Sequence, residues 1–139
     1  NIMKKSKVSN AFFYKLIALS GGFLWVLTIP LREMVTNNNN LITFILGVLP
    51  NFGVAIFTPF IIIVVMFERK IYDKNLLKKV FNSMLFITMI ILLTSEIIHE
   101  VYMNSLFDIN DILVSLLALV LDALIFNFLI RKTKFNYKN

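Results

Sequence analysis

Apolar residues gather into four long runs along this chain, separated by short polar stretches. The runs cover about residues 11–30, 41–67, 80–98 and 112–130. An α-helix rises 1.5 Å per residue, so about 20 residues cross a hydrocarbon core of roughly 30 Å. Each run meets or approaches that length. The pattern predicts an all-α, polytopic integral membrane protein with four transmembrane helices. The whole chain, 1–139, reads as a single transmembrane domain.

Two runs carry features that bear on packing. Ser20-Gly21-Gly22 lies near the middle of span 1, where small residues let two helices approach closely. Lys15 lies one turn inside span 1 and can snorkel back to the surface. Span 2 is too long for one perpendicular crossing, and Pro50 and Pro59 interrupt it. Proline removes a ladder hydrogen bond, so span 2 is expected to be kinked or broken at these positions. The preferred reading is a spanning helix over 51–67, preceded by a short outer or re-entrant piece at 41–49. A single tilted, kinked helix is the alternative. The polar stretches read as loops: Asn37-Asn38-Asn39-Asn40, Glu68 to Lys79, and Glu100 to Asn110.

Composition supports the membrane reading. Hydrophobic residues make up 58% of the 139 positions and mean hydropathy is +0.80. A soluble domain sits nearer 45–50% apolar. There is no cysteine, which excludes disulfides, thiolate metal sites and cysteine nucleophiles. Net charge is +6. In a soluble protein this would suggest nucleic acid. Here the basic residues flank apolar runs, so the membrane surface is the expected partner and nucleic acid is not. Met3 reads as the native start, with Asn1 and Ile2 outside the fold reading.

Charge distribution sets an expected orientation. Lys4, Lys5 and Lys7 precede span 1. Arg69, Lys70, Lys74, Lys78 and Lys79 lie between spans 2 and 3, and Arg131, Lys132, Lys134 and Lys138 follow span 4. Arg32 alone lies between spans 1 and 2, and no Lys or Arg lies between spans 3 and 4. A multi-pass cell-membrane protein with both termini cytoplasmic is therefore expected.

Acidic residues collect at the opposite end. Glu96, Glu100, Asp108 and Asp111 fall around the outer ends of spans 3 and 4, together with the single histidine, His99. Glu96, His99 and Glu100 are helical neighbours at i, i+3 and i+4. With Asn51 at similar depth, these residues are expected to line one outward-facing ligand pocket: Asn51, Glu96, His99, Glu100, Asp108 and Asp111.

Asp111, Ser115, Ala118 and Asp122 form one polar stripe on span 4, and such a stripe faces protein or water rather than lipid. Asp122 falls near mid-membrane, where a charge costs about 2.5–3.5 kcal/mol on insertion scales. It is expected to be protonated, or bonded to hydroxyls such as those of Ser20, Thr58 or Thr88.

Glu96-x-x-His99 has spacing used in di-metal helices, but a second such helix is missing from the sequence. No metal, cofactor or catalytic residue is assigned. No serine or threonine sits in a nucleophile motif and no glycine-rich phosphate loop occurs.

Ser95-Glu96-Ile97-Ile98-His99-Glu100 and Leu106-Phe107-Asp108-Ile109-Asn110-Asp111-Ile112-Leu113 resemble the VanZ-like family. Size and the four-helix layout agree. This chain departs from the family pattern at Ser105, His99 or Glu100, Ser115, Ala118 and Asp122. The resemblance implies a bacterial cell-membrane protein linked to antibiotic resistance, specifically to reduced glycopeptide susceptibility, with Glu96, Asp108 and Asp111 as the functional cluster. The leading expectation is binding of a cell-wall precursor, glycopeptide or cationic ligand at the outer face, in resistance or envelope maintenance. A small proton-coupled transporter or channel using Asp122 is one alternative. Another is a non-catalytic subunit of a membrane complex, or a homo-oligomer. An enzyme ranks below these.

Overall fold

The computed structural model describes residues 10–34, 40–103 and 108–135. Lys4, Lys5, Lys7, Asn37 to Asn39, Ser105, Leu106, Phe107 and Lys138 lie outside the described residues. Four helices make up almost all of the rest: α1 (Ala11–Met34), α2 (Asn40–Glu68), α3 (Lys74–Met103) and α4 (Ile109–Lys132). All four are long and apolar enough to cross a membrane. At 1.5 Å per residue, the 24 residues of α1 and α4 reach about 36 Å. The 29 and 30 residues of α2 and α3 reach about 44 Å. The chain is a multi-pass membrane protein.

Its outer surface is hydrocarbon-like. Phe12, Phe23, Phe86, Leu113 and Phe128 are all more than half exposed. In water such a surface would drive association, whereas in a bilayer it meets its own solvent.

The helix ends have local causes. Asp73 opens α3 by accepting backbone N–H bonds from Asn75 (2.8 Å) and Leu76 (3.0 Å). Asp108 caps α4 by accepting from the Asn110 N–H (2.8 Å). At the end of α2 the Ile71 N–H reaches the Met66 carbonyl and the Lys70 N–H reaches the Phe67 carbonyl. Lys70 has a φ of 60° there. This is a Schellman stop, with lysine in the left-handed position that glycine favours.

α2 is the central helix, packing against α1, α3 and α4, while α1 brings its backbone close to α2 alone. The α1–α2 contact is built from glycine. A Cβ on Gly21 would stand 2.7 Å from the Phe57 nitrogen and 2.9 Å from the Gly53 oxygen. One on Gly53 would stand 2.7 Å from the Trp25 nitrogen and 2.8 Å from the Gly21 oxygen. The close approach expected of Ser20-Gly21-Gly22 thus depends on Gly21, with Gly53 as its partner. Gly22 instead faces the Phe57 ring.

Toward the basic end, each helix supplies one aromatic ring to a single layer. Tyr14, Phe60, Phe81 and Phe126 are all at most 1% exposed. Phe81 and Phe126 stack at 3.8 Å with planes 6° apart. Phe60 meets Phe81 edge-on at 5.2 Å, and Tyr14 meets Phe126 edge-on at 6.2 Å. The Tyr14 hydroxyl is 3.2 Å from the Thr133 hydroxyl oxygen, which ties the start of α1 to the end of α4. Lys15 pairs with Glu68 at this same end; both side chains are substantially exposed. Such a pair contributes little stability.

The break expected in α2 does not occur. Residues 41–49 are neither a separate nor a re-entrant piece: α2 runs unbroken through Pro50 and Pro59. Pro50 cannot donate to the Leu46 carbonyl four residues earlier. Arg32 of α1 supplies the missing donor. Its Nε bonds the Leu46 carbonyl at 2.6 Å and one Nη bonds the Gly47 carbonyl.

Candidate functional site

At the end opposite the aromatic layer, the four helices leave a cavity of about 510 Å³. α1 contributes Trp25, Ile29 and Arg32, and α2 contributes Pro50, Asn51 and Val54. Ser95, Glu96 and His99 enter from α3, and Asp108 and Asp111 from the start of α4. Asn51, Glu96, His99, Asp108 and Asp111 therefore meet around one space.

Glu100 is not among the lining residues and is exposed. The helical wheel accounts for this. At about 100° per residue, Ser95, His99 and Glu96 span one arc, and Glu100 falls roughly 40° past its edge. Ser95 is the residue that the same wheel would have added.

Glu96 holds the site together. It is 6% exposed, and its Oε1 accepts the Asp108 backbone N–H at 2.9 Å. The carboxylate thus fixes the α3 end to the α4 start across twelve residues of sequence. The bond is part-buried, and a hydrogen bond of this kind contributes about 0.5–1.5 kcal/mol. The Asp108 Oδ1 is engaged by both the Asn110 N–H and its side-chain Nδ2, at 2.8 and 2.9 Å.

Asp111 differs. Its Oδ1 is buried and has no hydrogen-bond partner. Asp108, Glu96, Arg32 and His99 all lie close enough to act on it electrostatically. The cavity therefore holds three carboxyls against one arginine, and that arginine is already bonded to two carbonyls. Low-dielectric walls around like charges focus a negative potential and concentrate cations. Trp25, Ile29 and Val54 give the same space an apolar wall.

Arg32 was legible in the sequence only as a lone basic residue between two spans. α1 continues to Met34, so Arg32 belongs to the helix and lines the cavity. The available signal was a solitary arginine on the acid side of a chain whose next helix contains a proline.

Ser95 and His99 share one face of α3, but no hydrogen bond joins them. Among the described residues, no group of three or more His, Asp or Glu side chains is placed to hold a metal ion.

Below the cavity, Ser115 and Asp122 are 0% and 1% exposed. The Ser115 hydroxyl donates to the Asp111 carbonyl at 2.6 Å. The hydroxyl bonds expected at Asp122 do not form, and both of its carboxyl oxygens lack partners. Ser20 and Thr58 direct their hydroxyls to carbonyls of their own helices, those of Ile17 and Val54, each at 2.8 Å. Thr88 is buried with its hydroxyl unpartnered.

Compared with protein-family models, curated proteins and solved structures, the chain matches none of them.

Proposed function

We propose that this protein binds a cationic, partly apolar ligand in the acidic cavity, at the outer face of a bacterial cell membrane. The observation that carries the reading is the cavity itself: Glu96, Asp108 and Asp111 converge beside an apolar wall of Trp25, Ile29 and Val54. A carboxyl with a buried, unpartnered oxygen is a ready acceptor for an ammonium or guanidinium group. The alternation of lysine-rich and lysine-poor segments supports cytoplasmic termini, which puts the cavity outside.

Binding rather than catalysis fits the site. Glu96 and Asp108 are engaged in backbone capping, Asp111 is left for a ligand, and among the described residues lining the cavity no nucleophile is hydrogen-bonded to a base. In the setting that the VanZ-like resemblance suggests, the ligand would be a cell-wall precursor or a glycopeptide. The biological effect would be reduced antibiotic susceptibility or envelope maintenance.

The test compares wild type with Asp111→Asn, Asp108→Asn and Glu96→Gln in a susceptible bacterium. Each substitution preserves shape and removes charge. At equal membrane abundance, Asp111→Asn is expected to lose any glycopeptide tolerance that wild type confers. Full tolerance in all three variants would rule out the acidic cavity as the site.

A further inference from the structure

We propose that Asp122 is a proton-binding site deep in the bundle, reached from the acidic cavity along the α3–α4 seam and closed off from the basic end. Asp122 is 1% exposed and neither carboxyl oxygen has a hydrogen-bond partner. It lies eleven residues below Asp111 on the same helix, about 16 Å at 1.5 Å per residue. That depth is near the middle of the hydrocarbon core.

Polar side chains recur along the α3–α4 seam, with Ala118 and Leu92 packed between them. Asp111, which lines the cavity, has a buried, unpartnered Oδ1. Ser115 follows one turn below, fully buried. Thr88 on α3 supplies a second unpartnered hydroxyl, 1% exposed. Its height follows from the stacked Phe81–Phe126 pair. Thr88 stands seven residues above Phe81, and Asp122 stands four above Phe126, so the two differ by only about 5 Å along the bundle. Buried polar atoms without partners are uncommon, and each of these groups calls for an explanation.

The other direction is shut. One turn below Asp122, the layer of Tyr14, Phe60, Phe81 and Phe126 fills the bundle with rings from all four helices. No charged side chain acts on Asp122 from α1, α2, α3 or its own helix.

The occupant is a proton rather than a metal cation. Among the described residues no group of three or more His, Asp or Glu side chains is placed to hold a metal ion, and Asp122 stands without a second carboxylate. A neutral carboxylic acid is also the form that hydrocarbon tolerates.

Two measurements test this on the full chain in liposomes. Dicyclohexylcarbodiimide reacts with a protonated carboxyl: the acid proton passes to a carbodiimide nitrogen and the carboxyl oxygen bonds the central carbon. Mass spectrometry should find the adduct on Asp122, and Asp122→Asn should lose it. Because the chain has no cysteine, Ser115→Cys and Ala118→Cys each provide a single thiol. A membrane-impermeant thiol reagent should modify them from the acidic side and not from the basic side. Adducts confined to Glu96 or Asp111, or thiols reached from the basic side or from neither, would overturn the proposal.

Discussion

Replacing Gly21 or Gly53 with alanine is expected to destabilise the bundle, while the same change at Gly47 should leave it unaltered. An added methyl group at Gly21 or Gly53 meets backbone atoms at 2.7–2.9 Å, and backbone cannot rotate away. The helices must separate, which weakens dispersion contacts along the whole α1–α2 seam. Overpacking of this kind typically costs about 1–3 kcal/mol. Leucine at either position should prevent the α1–α2 contact from forming. Gly22→Ala meets only the Phe57 ring, at 3.1 Å, and a ring can turn, so its effect should be smaller. Gly47 has open space where a Cβ would go. Thermal stability in mild detergent, read by size-exclusion chromatography, should rank wild type level with Gly47→Ala, then Gly22→Ala, with Gly21→Ala and Gly53→Ala lowest. Equal stability across the set would contradict the backbone contact.

The second large effect concerns Arg32. Arg32→Ala is expected to destabilise the protein, because it leaves the Leu46 carbonyl beside Pro50 without a donor. Both bonds are exposed, so the loss should be about 0.5–1.5 kcal/mol. The cost should depend on the proline. In Pro50→Ala, residue 50 regains its N–H and the helix can satisfy Leu46 by itself. Arg32→Ala should therefore cost less in the Pro50→Ala background than in wild type. A double-mutant cycle measures that difference directly. Strict additivity would mean that Arg32 serves some other purpose at this position.

These two sites show where the sequence was readable and where it was not. Hydropathy located all four helices, because a membrane demands about 20 apolar residues whatever their partners. It misplaced their ends. Helices continue beyond hydrocarbon wherever caps allow: α3 begins at Lys74 behind the Asp73 cap, well before the apolar run at 80. Asn40 likewise opens α2 instead of closing a loop.

Pro50 misled for a related reason. Proline's effect depends on whether another element satisfies the freed carbonyl, and Arg32 is not local to it. Gly53 was invisible as a partner of Gly21 because contact between helices has no periodic mark. The acidic residues were easier to group, since charge excludes them from the hydrocarbon and confines them to one end. Their arc around the cavity needed helix phase as well, which is how Ser95 was missed and Glu100 included. The aromatic layer drew one residue from each helix, a pattern that spacing within any single helix cannot reveal.

The proposed ligand site requires four helices crossing a bilayer with the acidic cavity outside. Single-cysteine variants at Glu100, on the acidic end, and Asn75, on the basic end, test it in intact bacterial cells. An impermeant maleimide should label Glu100→Cys directly and Asn75→Cys only after the membrane is permeabilised. Labelling of Asn75→Cys in intact cells, with Glu100→Cys protected, would contradict the orientation and remove the cavity from the outer face.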